Sequence, residues 1–331
     1  MMVRTLAMLT ASCTAVFALA GCGNGATSNA SGSAASSAGG HSSGSSSNTA
    51  AVVRRPHSSV VHKLPGPFYP QLLGAAMSSA PSGFMPVVRW HGKTAAWIAR
   101  SPSGVALLSF DQGLVELRLH AGTVDPGGSG WRWGPAVVGS ERRQLVAAFN
   151  GAFKFSTGAG GFLSYGRTGV SLQADSGSIV TYKDGQTDIG LWRAGVPQAG
   201  RSIASVRQNL KLLIDHGGPA ATLNCLRCWG ATLAGVNDPA RSALGITADG
   251  RLIWAGGEHL SVTALADALL GARVVRAVEL DINPAWVAGY LYGHRTGRGP
   301  LAPVPIVPGQ VSVPGFFLAP YSRDFFTIQA R

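Results

Sequence analysis

The chain has 331 residues, 46% of them hydrophobic and 13% charged, a composition that excludes intrinsic disorder for most of its length. Its 45 Gly and 19 Pro require many turns and short elements, which argues against a long helical bundle or coiled coil. The formal net charge of +12 is uneven, with no Asp or Glu before Asp111, but 22 of the 27 basic residues are Arg, as a GC-rich genome alone would give, so charge does not argue for nucleic acid as a partner.

Arg4 precedes an uncharged apolar stretch over 5–20 that is too short for an ordinary membrane span and reads as a signal peptide, 1–21. It ends in Leu19-Ala20-Gly21-Cys22, which resembles the bacterial lipobox, in which the Cys thiol takes a lipid; the alternative is a plain signal peptide that happens to contain Cys22. Residues 22–50, almost wholly Ser, Gly, Ala, Asn and Thr, form a tether with an end-to-end distance of roughly 30 Å. The expectation is an exported lipoprotein held on the outer face of the cell membrane by lipid on Cys22. Residues 51–81 are basic and Pro-rich, with Arg54, Arg55 and Lys63, and read as a linker or cover segment.

The folded part is expected over 82–331. Short apolar runs separated by Gly, Ser or Pro predict strands at 85–91, 95–100, 105–110 and 115–120, and further strands at 145–150, 170–173, 178–183, 188–192, 210–215, 243–247, 252–255 and 274–281. The Asp-Gly pairs in 183–186 and 248–251 predict hairpin turns. Trp131 and Trp133, after a Gly-rich loop, suit either a sugar-binding surface or cover for a core. One helix is clear: Ser261 caps a segment in which Val262, Leu265, Ala266, Leu269 and Leu270 recur at helical spacing, and Gly271 closes it. The fold class is α+β, a single domain of catalytic type with few helices and a strand-rich mixed or antiparallel sheet core.

Among candidate chemical groups, Glu279 and Asp281 stand at i and i+2 at the end of an apolar strand, which predicts that both project from one face, roughly 7 Å apart at Cα. Paired carboxylates at strand ends mark glycosidase or metal sites, although one solvated carboxylate and one turn cap fit the spacing equally well. Arg241 leads into a buried-looking strand, where a planar guanidinium suits a phosphate. Asn150-Gly151 after the strand at 145–149 is a tight turn exposing backbone and amide donors. Cys225 and Cys228 have no second CxxC and no His pair, which favours a local disulfide over zinc or redox chemistry outside the cytoplasm. His216, His259 and His294 match no defensible catalytic or metal spacing, and no metal or cofactor is expected.

Taken in order, these segments resemble the phosphodiester glycosidase domain family over about 145–317. Phe149-Asn150-Gly151-Ala152-Phe153 looks like that family's Asn-Gly-Gly-Phe-Phe turn, and Leu212-Leu213-Ile214-Asp215-His216-Gly217 like its strand ending in an acidic residue. Arg241 to Gly250 looks like its Arg-x-x-x-Gly strand, 260–266 like its next helix, and Glu279-Leu280-Asp281 falls where it has Leu-Asp before a Gly-Gly-Gly-Ser loop. Ile282-Asn283-Pro284 replaces that glycine loop, and Ala152 replaces a glycine. The resemblance implies that Asn150, Gly151, Arg241 and Asp281 surround a sugar phosphate, with Glu279 and Asp215 as further candidates. It implies a hydrolase of sugar 1-phosphodiesters in wall or capsule glycopolymers, with Arg241 on the phosphate and Asp281 at the anomeric carbon. A noncatalytic glycopolymer-binding lipoprotein is the alternative, and a solute-binding lipoprotein is a third class for which the helices are missing.

Overall fold

The computed structural model describes residues 83–230, 238–294, 301–310 and 315–331, all within one compact unit. The signal segment, Cys22, the tether and the linker lie outside the described residues. The chain opens with β1 (Met85–Trp90), β2 (Lys93–Arg100), β3 (Ala106–Phe110) and β4 (Val115–His120), then the one-turn helix α1 (Glu141–Gln144) and β5 (Leu145–Asn150). Next come β6 (Phe162–Ser164), β7 (Arg167–Val170), β8 (Gly177–Tyr182), β9 (Thr187–Leu191), β10 (Ile203–Gln208), β11 (Leu212–Asp215) and the two-residue β12 (Gly218–Pro219). The remainder is β13 (Arg241–Thr247), β14 (Leu252–Gly257), helix α2 (Val262–Gly271), β15 (Val274–Glu279), β16 (Gly289–His294), β17 (Leu301–Pro305) and β18 (Phe325–Ala330).

Among the described residues the strands form three sheets, in the orders β1-β2-β3-β14-β13-β15-β11-β12, β7-β6-β10-β8-β9 and β17-β16-β5-β18-β4, and every ladder between them is antiparallel. Of the mixed and antiparallel alternatives, the antiparallel one holds. Local chemistry sets the turns. His91 and Gly92 both take positive φ in the two-residue loop that pairs Trp90 with Lys93, as a primed hairpin turn requires. The two Asp-Gly segments turn β8 into β9 and β13 into β14.

One face of the eight-stranded sheet packs against α2, whose Val262, Leu265, Ala266 and Leu269 meet Leu213, Ala243, Ala255 and Ala277. Ser261 caps that helix by accepting from the Ala264 N–H at 3.1 Å. The left-handed residue beyond it is Arg273, with Gly271 the last residue inside the helix. The sheet's other face joins the main core, where Leu244, Trp254 and Val278 share a cluster with Leu117, Ala147, Phe149, Phe326 and Ile328. Trp131 packs edge-on against Phe162 at 5.2 Å, so it covers core.

Three departures from the sequence reading have physical causes. Strand β10 ends in Arg207-Gln208, both buried, which hides the apolar run that would have announced it. Strand β17 carries Pro303 and Pro305 and is a sheet edge, the place where proline costs no ladder bond. The strand expected over 274–281 stops at Glu279, so Asp281 lies in the loop that follows.

Arg207 on β10 reaches across to Asp324, just before β18, and so ties two sheets together. Its Nε donates to Asp324 Oδ2 at 2.8 Å and its Nη2 to Oδ1 at 3.2 Å, with both side chains fully buried. Truncating one partner strands a buried charge, so Arg207→Met should lower unfolding free energy by about 3–5 kcal/mol. The double variant Arg207→Met/Asp324→Leu should recover most of that loss, read from urea unfolding midpoints.

Candidate functional site

Strands β5, β10 and β15 end, and β13 begins, close together, and the polar residues at or next to those termini form one buried network. Asn150 Nδ2 donates to Ser242 Oγ at 2.9 Å and to the Gly151 carbonyl at 2.9 Å, while its Oδ1 accepts from the Ala288 N–H at 3.2 Å. Ser242 Oγ donates to the Asp281 carbonyl at 3.1 Å, and Asn209 Nδ2 to the Glu279 carbonyl at 2.7 Å. Side-chain amides and a hydroxyl thus fix the backbone on which both expected carboxylates sit. Gly151 is required there, because a Cβ would run into the Asp324 carboxylate.

The two carboxylates face different surroundings. Glu279 shares the α2 side of the sheet with Arg241, whose Nη1 donates to its Oε1 at 2.6 Å. The same guanidinium donates from Nε to the Leu260 carbonyl at 2.9 Å and from Nη1 to the Trp229 carbonyl at 3.2 Å. Arg241 and Glu279 have no solvent exposure. Burial pushes the Glu279 carboxyl up to about 8, and the adjacent guanidinium opposes that rise without cancelling it.

Asp281 lines an open cleft of about 440 Å³. Its Oδ1 accepts from the Ile282 and Asn283 N–H groups at 2.8 and 2.9 Å, and its Oδ2 lies 3.3 Å from Arg323 Nη2. Burial raises its pKa above the usual aspartate value, against the Arg323 charge and those two amide bonds. Arg323 also pairs with Asp125 at 2.8 Å and donates to the Ala152 carbonyl at 2.8 Å, which holds it between the cleft and the Asn150 turn. Phe153, Ile282 and Trp286 supply apolar wall, and Lys154 and Arg227 bring cations to it.

The structure therefore brings Asn150, Gly151, Arg241, Glu279 and Asp281 to one region, with two corrections. Glu279 and Asp281 do not project together into one space, because the strand ends between them. Arg241 does not line the cleft: it lies on the α2 face of β13, behind the cleft, bound to Glu279 and two carbonyls. Asp215 is not in the region. Strand β11 runs antiparallel to β15, pairing Leu212 with Val278 and Ile214 with Ala277, so Asp215 is carried away from Glu279 to a turn, where it meets His216 at 3.1 Å. His216 and His259 take positive φ in bends and turns. Ile282, standing where the resembled family has glycine, packs with Phe153 and Ala159. Cys225 and Cys228 form a disulfide that brackets Arg227. Among the described residues no group of His, Cys, Asp or Glu could hold a metal ion, and no helix is long and apolar enough to cross a membrane.

Sequence reasoning missed Arg207, Arg323, Asp324, Lys154, Trp286 and Arg227. Arg323-Asp324 before the aromatic strand β18 was the readable signal, since adjacent opposite charges entering an apolar run need partners when buried. Lys154, directly after the Asn-Gly turn, was the other.

No family model matches the chain, and no curated protein matches it in sequence. Among solved structures it is similar to the catalytic domain of zebrafish N-acetylglucosamine-1-phosphodiester α-N-acetylglucosaminidase, auto-inhibited by its pro-peptide, at 16% identity and a TM-score of 0.42, over 75% of this chain and 81% of that one. It is also similar to a hypothetical protein from Synechocystis, at 12% identity and a TM-score of 0.40, over 73% of this chain and 63% of that one.

The Glu279 environment has a measurable consequence. Its carboxyl titrates near 8 when folded against a usual 4.5, so the folded chain binds this proton more tightly than the unfolded one. The stability it contributes is full below about pH 4.5 and is lost as pH rises through about 8. Glu279→Gln, which cannot ionise, should flatten that part of the curve of unfolding midpoint against pH.

Proposed function

We propose that this chain hydrolyses sugar 1-phosphodiester linkages of cell-wall or capsule glycopolymers, with Asp281 as the carboxylate at the anomeric carbon. The observation that carries this reading is Asp281 itself: among the described residues it is the one carboxylate lining the cleft, held by two backbone amides and flanked by Arg323. The order of sequence motifs around Asn150, Arg241 and Asp281, which resembles the phosphodiester glycosidase domain, supports it further. The phosphomonoester that departs from C1 is already a stable anion, so C1–O cleavage needs little general-acid help. What it needs is a carboxylate at C1, as nucleophile or as base for water, and positive charge at the phosphate.

Arg241 is buried behind the cleft, so its work in this reading is to hold Glu279 and the Trp229 carbonyl in position. Glu279, equally buried, is a positioning residue. A second reading, noncatalytic glycopolymer binding, is favoured by one observation: Ile282 and Asn283 line the cleft, with Pro284 next in the chain, where a glycine loop would let backbone approach a phosphate.

Turnover separates the two. On α-linked sugar 1-phosphodiesters the wild type should release free sugar, and Asp281→Asn should lower kcat by about 10²- to 10⁴-fold with an unchanged circular dichroism spectrum. The acid limb of the wild-type kcat profile should stand at higher pH than an ordinary aspartate gives, because the carboxylate form is required and burial raises its pKa. Absence of turnover on a panel of such diesters, with binding retained, would favour the second reading.

The lipobox-like 19–22 and the tether over 22–50 support export and anchoring at the outer face of the membrane through lipid on Cys22. Wild-type protein should then sediment with membranes and Cys22→Ala should not.

A further inference from the structure

The cleft carries positive charge that no acidic side chain neutralises among the described residues. Lys154 Nζ sits 4.4 Å from the centroid of the Trp286 ring and, among the described residues, forms no ion pair. Arg227, exposed on the cleft wall between the disulfide-linked Cys225 and Cys228, likewise has no acidic partner among the described residues. The one acid lining the cleft among the described residues, Asp281, is already matched by Arg323, whose guanidinium stands 4.3 Å from the same Trp286 centroid. An aromatic face attracts a cation through its quadrupole but does not cancel its charge. A cleft with low-dielectric walls concentrates the field of such cations.

We infer that Lys154 and Arg227 form the phosphate-binding subsite of this cleft, taking the phosphate of a sugar phosphate, and that Trp286 positions the Lys154 ammonium for that task. The assignment rests on the sugar-phosphate reading of the cleft and gives the phosphate to Lys154 and Arg227 in place of the buried Arg241. Both cations reach the cleft from segments fixed at their bases. Lys154 follows Phe153, whose carbonyl accepts from Arg207 Nη2 at 2.6 Å, and Arg227 precedes Trp229, which is buried and bound to Arg241 through its carbonyl. Each side chain therefore projects from an anchored backbone. The ligand class follows from the chemistry: a compact anion bearing several acceptor oxygens suits one ammonium and one forked guanidinium, with Phe153 and Ile282 as apolar wall beside them.

Binding measured by calorimetry tests this without requiring turnover. The full chain, carrying Asp281→Asn to prevent any hydrolysis, is titrated with N-acetylglucosamine 1-phosphate, with N-acetylglucosamine and with inorganic phosphate. The sugar phosphate should bind more tightly than the free sugar, and added salt should weaken it. Lys154→Met or Arg227→Met should each weaken it about tenfold or more, the double variant further, and Lys154→Arg should retain most of the affinity. Trp286→Leu should weaken the sugar phosphate by a larger factor than the free sugar, because it loses the position of the Lys154 ammonium as well as apolar wall. Both cationic side chains are exposed, so their loss should leave the unfolding midpoint where it was. Equal binding of sugar and sugar phosphate, no binding of the sugar phosphate, or unchanged affinity in the double variant would overturn the assignment. Tight, Lys154-dependent binding together with a wild type that turns over no diester would leave this subsite standing and remove the hydrolase.

Discussion

The carboxylate of Asp324 is the group on which the geometry of the site depends. It is fully buried, receives a forked pair of hydrogen bonds from Arg207, and lies against Gly151 so closely that no side chain fits there. Its backbone carbonyl accepts from the Gly151 N–H at 3.0 Å, and the preceding residue, Arg323, binds both the Ala152 carbonyl and Asp281. Two consecutive residues before the last strand therefore hold the Asn150 turn, the end of β10 and the cleft carboxylate in one arrangement. A buried ion pair of this kind adds little net stability, because desolvation offsets most of its attraction. What it adds is a defined geometry, since any other arrangement leaves a charge unpaired in a nonpolar interior.

The same network separates two carboxylates only two residues apart. Glu279, the last residue of its strand, shares a closed space with Arg241, and burial raises its pKa to about 8. Asp281, beyond the strand end, keeps two amide donors and an arginine and opens onto the cleft. Carboxyl groups that are alike in sequence thus acquire different protonation behaviour from their surroundings alone. This division leaves Asp281 open to the cleft and Glu279 closed off behind it. Arg241 lies away from the cleft as well: it is fully buried, and its Nε and Nη1 donate to a carboxylate and two carbonyls that would lose their donor if it moved.

Much of the scaffold could be read from residue patterns. The capped helix over 262–271, the Asp-Gly hairpins and the apolar strands that became β2, β3, β5, β13 and β14 follow from local rules of periodicity, capping and turn chemistry. Strands β6, β10, β12, β16, β17 and β18 escaped those rules, and the run expected as a strand over 170–173 is strand only at Val170, the last residue of β7. Strand β10 buries an arginine and a glutamine, β17 contains prolines, and the pairing of β18 between β5 and β4 joins residues more than 170 positions apart in the chain. No local signal encodes such a contact.

The sequence by itself determined that this is a strand-rich chain with one amphipathic helix, and that Asn150, Arg241, Glu279 and Asp281 stand at or just beyond element ends, because burial period and turn residues are local properties. Only the tertiary structure decided which of them meet a cleft. Asp215 and Asp281 look alike as acids at or just beyond strand ends, yet antiparallel pairing sends the first to a solvated turn beside His216 and the second to the cleft. Arg241 and Lys154 look alike as cations near strand ends, yet side-chain alternation puts one under the sheet against Glu279, while the turn after β5 leaves the other over Trp286. Direction of pairing and the face taken at a strand end are properties of assembled sheets, and a linear pattern of residues does not contain them.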